Sequence, residues 1–292
     1  MKKRKATLPR IRIPAKASID RTHDLLKSLN LHTVCQEADC PNRWECFSDN
    51  TATFLILGDI CTRNCKFCGV STGTPLEADP DEPEKIAEAV VKLGLKYVVI
   101  TTVTRDDLPD GGAGQFVKII RAIRKKIPDA GIEVLTSDFD GNIDALEKVL
   151  SEKPSVFNHN VETVERLTPK LRSRASYLRS LAVLDHAAKF SPDIPTKSGL
   201  MVGVGETIDE VKKTLEDLRK VNCKIITIGQ YLAPSENHYQ VQEFVDEKTF
   251  ELYKNIAEKL GFSAVASGAL VRSSYHASQC YEKAIIHQFN IQ

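Results

Sequence analysis

Three cysteines, Cys61, Cys65 and Cys68, stand within the eight residues CTRNCKFC, directly after the apolar run Thr53–Leu57. A C-x3-C-x2-C loop at the end of a strand can wrap one face of a four-iron, four-sulfur cube. Three thiolates ligate only three of the irons, so the fourth stays open to a small chelating molecule. Zinc sites usually pair their ligands in two C-x2-C-like knuckles, and this triad offers no obvious fourth member. Disulfide frameworks favour small secreted chains in oxidising compartments, which fits a chain of 292 residues poorly.

A second set lies just upstream in CQEADCPNRWEC, with Cys35, Cys40 and Cys46 at C-x4-C-x5-C spacing. Six of the eight cysteines therefore fall between residues 35 and 68, a density that core packing does not explain. Cysteines used as small hydrophobes are scattered, as Cys223 and Cys280 are. A second triad suggests a second cluster, and it too lacks a fourth cysteine.

The first motif also has the form C-x3-C-x-aromatic-C, with Phe67 before its last cysteine, and here the chain resembles the radical S-adenosylmethionine enzymes. That resemblance implies that the methionine amine and carboxylate bind the open iron, that one electron breaks the C5′–S bond to give a 5′-deoxyadenosyl radical, and that Phe67 packs near the adenine. The double triad further resembles the lipoyl synthases. So do QEADCPN, RDDLPDGGA at residues 105–113 and RSSYHA at 272–277, a likeness that runs from about residue 20 to near the end. The family pattern implies two 4Fe-4S clusters, S-adenosyl-L-methionine as cofactor, and Ser274 of the Arg-Ser-Ser-Tyr motif as the fourth ligand beside Cys35, Cys40 and Cys46. An alkoxide is a harder, weaker iron ligand than a thiolate, so such a cluster should come apart more easily. Cys280, six residues further on, is the rival ligand and chemically the more ordinary one. The resemblance implies radical insertion of two sulfur atoms at C6 and C8 of a protein-bound octanoyl-lysine, with the auxiliary cluster as sulfur donor. The implied partners are octanoylated carrier domains, such as a 2-oxoacid dehydrogenase E2 or a glycine-cleavage H protein, and an external electron donor.

Charge is nearly balanced, 40 basic against 39 acidic residues, so no nucleic-acid or membrane partner is implied; a monomer is expected. No run of about 18 apolar residues is present to span a bilayer. The start, MKKRKATLPRIRIPAK, carries seven basic residues but lacks the apolar core of a secretion signal. It reads as a basic arm, ordered against the domain or an acidic partner protein or else loose, with a transit peptide as the alternative, and the cytoplasm is the expected compartment.

From residue 53 short β-rich runs alternate with amphipathic segments, the pattern of βα units around a parallel sheet. Strands are expected at Thr53–Leu57, Tyr97–Thr101, Ile132–Thr136, Val156–His159, Ser198–Val202 and Lys224–Ile228. Helices are expected at Pro83–Leu93, Gly114–Lys126, Ile143–Ser151, Val161–Arg166, Tyr177–Lys189, Ile208–Val221 and Glu247–Leu260. Asp81 and Glu84 predict a capping box, with Gly94 ending the same helix. The fold class is α/β, a partial, open parallel β/α barrel of about six strands. The expected division is an N-terminal extension at 1–50 carrying auxiliary-cluster cysteines, a radical core at 51–235, and a C-terminal extension at 236–292.

In such barrels the chemistry sits on loops at the C-terminal ends of strands. After the second strand, TTVTRDDLPDGGAG offers Asp106 as an acceptor for an ammonium group, with Gly111 and Gly112 allowing close backbone approach; a plain turn is the rival reading. After the fourth strand, Asn160 and Glu162 stand where ribose hydroxyls could bind, with helix capping as the alternative, and His159 reads as a structural hydrogen-bonder. GLMVGVGET places Gly203 in a glycine pattern close to the adenine support of the radical enzymes, and Tyr231 of GQYLAPSENH could edge the adenine. Arg63, Arg105, Lys170, Arg172 and Arg174 could meet carboxylates, although a solvated position is the default for each. A different radical enzyme with an auxiliary cluster, such as a methylthiotransferase, and an iron–sulfur electron carrier are the competing functions.

Overall fold

The structure is a computed structural model and describes residues 16–38, 40–48, 53–172 and 174–289; residues 1–15 of the basic arm lie outside them. Ten strands occur among these residues: β1 His32–Thr33, β2 Thr53–Ile56, β3 Ile60–Cys61, β4 Ser71–Thr72, β5 Tyr97–Thr102, β6 Gly131–Leu135, β7 Val156–Asn158, β8 Thr196–Val202, β9 Ile225–Gln230 and β10 Ala264–Gly268. Eight form one sheet in the order β1-β2-β5-β6-β7-β8-β9-β10, and β3 and β4 form a separate ribbon. From β2 to β10 every pairing is parallel, and β1 adds antiparallel to the outer edge of β2. The six expected strands are the middle six, and the sheet stays open because β1 and β10 do not pair.

Helices cover the outer face because their apolar residues recur at helical spacing. Ala113–Lys126 buries Ala113, Phe116, Ile119, Ile120 and Ile123 in one stripe while Arg124, Lys125 and Lys126 close its last turn. Thr207 and Glu210 form a true capping box on Ile208–Lys220. The box expected from Asp81 and Glu84 does not form. Asp81 already has helical dihedrals and makes no side-chain cap, and it is Asp79 Oδ1 that accepts from the Asp81 N–H at 2.9 Å. Gly94 ends that helix in the left-handed conformation, as expected.

No helix spans Val161–Arg166. The Glu162 N–H is taken by Gly199 O at 3.0 Å and its carbonyl by Met201 N at 2.8 Å, so this stretch continues the sheet beside β8. Only a 3-10 turn at Glu165–Leu167 and a short helix at Thr168–Leu171 follow.

The two ends of the strands differ. At the N-terminal end, Lys197 Nζ meets Glu133 at 2.8 Å with both side chains fully buried, and Asn158 and Tyr97 donate to the same carboxylate. A buried pair is tolerated when its remaining acceptors are satisfied in this way. The C-terminal helix Ala277–Phe289 packs on this end, setting Cys280 against Val156, Ile225 and Ala264. The C-terminal end of the strands opens on a cavity. Among the described residues no helix is long and apolar enough to cross a membrane.

Candidate active site

The chain turns sharply after β2, where Leu57 has φ 66° and Gly58 φ 89°. A left-handed Leu costs on the order of 1 kcal/mol. The buried Glu82 carboxylate offsets it by accepting the Leu57 N–H at 3.0 Å and the Gln115 amide at 2.7 Å. This turn delivers Cys61, Cys65 and Cys68 to the rim of a cavity of about 580 Å³, which Cys35 and Cys40 of the upstream triad also line. Cys46 sits on the adjoining helix Arg43–Ser48 and is not part of the lining. None of the eight cysteines is in a disulfide.

The first triad suits an iron–sulfur cluster in its donor chemistry. Cys61 Sγ accepts N–H groups from Arg63 at 3.4 Å and Thr104 at 3.3 Å, the kind of donors that stabilise a ligating thiolate. Burial pushes the Cys68 thiol up to about 12 and that of Cys35 up to about 11, and raises Cys40 as well, with Arg272 and Arg43 opposing the last shift. In the metal-free chain Cys68 and Cys35 are therefore protonated at neutral pH. Metal binding would displace those protons.

The loop is strapped down. Lys66 N donates to Leu171 O at 2.8 Å, Tyr239 N donates to Lys66 O at 2.8 Å, and His238 Nε2 reaches Cys68 O at 3.0 Å. Tyr231 holds the strap in turn, donating its hydroxyl to Tyr239 O at 2.6 Å.

The chain matches the Radical SAM superfamily over residues 55–218. It is 57% identical to the lipoyl synthase of Caldicellulosiruptor bescii across 92% of each chain. It belongs to the lipoyl synthase family. Its fold is similar to that of HydG, a maturase of the FeFe-hydrogenase, with a TM-score of 0.57 at 13% identity, covering 91% of this chain and 72% of that one. Streptococcus suis SuiB, solved with the precursor peptide SuiA, gives 0.56 at 10% identity and 85% coverage, and the chain spans about half (52%) of that protein's length. Those two likenesses concern the fold alone.

For this lipoyl synthase family member, Phe67, Asn160, Glu162, Tyr231 and Ser274 all line the cavity with the cysteines. Asp106, Gly111, Gly112 and Gly203 do not. Asp106 is committed to Arg63, which donates to it from Nε at 2.8 Å and Nη2 at 2.7 Å, and Arg63 also meets Asp138 at 2.7 Å. A buried guanidinium needs these counter-charges, which leaves Asp106 little to offer a ligand. Gly112, at φ 90°, lies where a Cβ would stand 2.3 Å from Leu57 Cδ1, so this glycine serves the turn before the cysteine loop. Gly111 backs onto Phe139. At Gly203 a Cβ would fall 2.3 Å from both Gln230 Nε2 and Glu243 O, so its bareness admits the strap.

Arg63, Arg105 and Arg172 are buried at 5%, 2% and 9% exposure, against the solvated default, whereas Lys170 and Arg174 are exposed. Arg172 lies beside Glu162, whose carboxyl burial pushes up from the usual carboxylate range despite the opposing effects of Arg172 and Asn160. His159 has the structural role expected of it. Its Nδ1 donates to Thr136 O and its Nε2 pairs with Ser180 Oγ, each at 3.0 Å, and burial takes its pKa down to about 4. The quoted motifs contain Ser273, His238 and Gly229 but gave them no role of their own; Gly229 is placed where a Cβ would be 2.1 Å from Val271 O. Only an isolated strand glycine signalled that approach.

Proposed function

We propose that the chain inserts two sulfur atoms, at C6 and C8, into an octanoyl group carried on a lysine of a lipoyl carrier domain. The observation that carries this reading is that thiols of both triads and Ser274 open on one cavity. Bound clusters and S-adenosylmethionine would supply the one-electron chemistry, with a primary carbon radical to break an unactivated C–H bond and sulfide to replace the hydrogen.

The chain's own residues then have separable jobs. Cys61, Cys65 and Cys68 hold three irons of the radical cluster, Phe67 and Tyr231 flank the adenine, and Glu162, steadied by Asn160, takes the ribose side. Cys35, Cys40, Cys46 and Ser274 hold the auxiliary, sulfur-giving cluster. Val34, Leu55, Leu135, Leu200 and Met201 line the space between and suit an alkyl chain. In this reading residues 1–50 and 236–292 act as extensions that bring the auxiliary ligands to the 51–235 core, in a cytoplasmic, monomeric enzyme. Its partners are an octanoylated E2 or H-protein domain and an external electron donor.

Ser274 as the fourth ligand is supported by how the C-terminal segment docks. Asn42 Nδ2 donates to Leu270 O at 2.7 Å and Tyr275 Oη reaches Glu45 at 3.0 Å, which brings the Arg-Ser-Ser-Tyr stretch back onto the second triad. Cys280 packs at the other end of the strands. Ser274→Ala is therefore expected to abolish sulfur transfer while 5′-deoxyadenosine still forms, and Cys280→Ala to keep turnover within about twofold, the effect of trimming one small core side chain. Product mass spectrometry with nucleoside quantification reads both. Loss of sulfur transfer on Cys280→Ala with Ser274→Ala still active would reverse the assignment.

A further inference from the structure

We infer that Asn160 is the positioning residue that latches Ser273 and thereby leaves Ser274 to face the second cysteine triad; this rests on reading Ser274 as that triad's fourth ligand. The Ser273–Ser274 pair is fixed on either side. Upstream, Val271 lies against the bare Cα of Gly229 and its carbonyl accepts Arg272 Nη1 at 2.7 Å. Downstream, Tyr275 is held by Glu45 at 3.0 and 3.1 Å. Between these anchors one side-chain hydrogen bond orients the pair, from Asn160 Nδ2 to Ser273 Oγ at 3.1 Å. Among the described residues the Ser274 hydroxyl makes no hydrogen bond of its own.

Asn160 is built to be a donor at this place. Its Nδ2 also reaches Glu162 Oε1 at 3.0 Å, and only the nitrogen of the amide can serve a carboxylate acceptor. Its Oδ1 is buried without a partner against Gly199, where a Cβ would stand 2.6 Å away. Flipping the amide would set oxygen against the Glu162 carboxylate, so the orientation is fixed by the network. Glu162 is itself immobilised at φ 66° by its two backbone bonds to β8. One amide thus ties the Glu162 half of the cavity to the serine loop across 113 residues of sequence. Leaving Oδ1 unsatisfied is a cost that the bonds through Nδ2 offset.

The test uses the full chain with Cys61, Cys65 and Cys68 changed to Ala, so that only the auxiliary cluster can load. After anaerobic reconstitution, iron and sulfide per chain are measured, followed by the rate at which iron passes to a ferrous chelator. Asn160→Ala and Ser273→Ala are each expected to speed iron loss on the order of tenfold, the scale of one buried hydrogen bond. The double variant should be no faster than either single, since both cut the same bond. Ser273→Ala keeps the test meaningful where Asn160→Ala disturbs folding, because it removes the bond from the loop side. Unchanged release in Ser273→Ala, or additive effects in the double variant, would overturn the latch while leaving the auxiliary cluster in place. A parent that loads no cluster would overturn the reading of the second triad, and the latch with it.

Discussion

Changing Cys61, Cys65 and Cys68 together to Ala is expected to remove about half of the iron bound after anaerobic reconstitution and to abolish 5′-deoxyadenosine formation. The expectation follows from the placement of these three thiols together on one loop, held at Lys66 and Cys68 by Leu171, Tyr239 and His238. Iron and sulfide analysis, with chromatography of the nucleoside products, reads both effects. Continued S-adenosylmethionine cleavage by the triple variant would remove the first triad from its assigned role.

The converse change, Cys35, Cys40 and Cys46 to Ala, is expected to leave 5′-deoxyadenosine formation and abolish sulfur insertion. Thiols of both triads open on one cavity, but the triads do not share a scaffold. The first grows out of β2 and is braced by the strap, whereas the second lies on two short helices and the loop between them, tied to the C-terminal segment through Asn42 and Glu45. Their losses should therefore separate: turnover of cofactor without product in one case, no cofactor chemistry in the other. Identical phenotypes for the two triple variants would contradict this division.

What the sequence made legible follows from which forces are local. The middle six strands are β-rich runs bounded by loops, and Tyr97–Thr102 or Ile225–Gln230 can be read within a few residues because burial on both faces demands near-continuous apolar sequence. The edge strands β1 and β10 carry no such pattern. His32–Thr33 is two residues long and Ala264–Gly268 is built of small ones, so their pairing is imposed by neighbours. The expected helix at Val161–Arg166 fails for the same reason, since backbone groups a helix would need are engaged by Gly199 and Met201, some forty residues away.

In the site, cysteine spacing is local and was readable, while glycine and charge roles depend on what approaches. Gly111 and Gly112 look like ligand-facing glycines but pack on Phe139 and Leu57, whereas Gly199 and Gly229, two of the glycines that line the cavity, make room for Asn160 and Val271. Asp106 reads as a free acceptor until Arg63, 43 positions earlier, is found bound to it. Arg63 itself reads as a surface cation until folding surrounds it with Asp106 and Asp138.

The most direct test of the assigned chemistry is an anaerobic assay with an octanoylated carrier peptide, S-adenosylmethionine and a strong reductant, read by mass spectrometry of the peptide alongside quantification of 5′-deoxyadenosine. A peptide heavier by two sulfur atoms is expected, with two molecules of 5′-deoxyadenosine formed for each product. Formation of 5′-deoxyadenosine with the peptide mass unchanged, or with a methylthio group added in place of the two sulfurs, would contradict it.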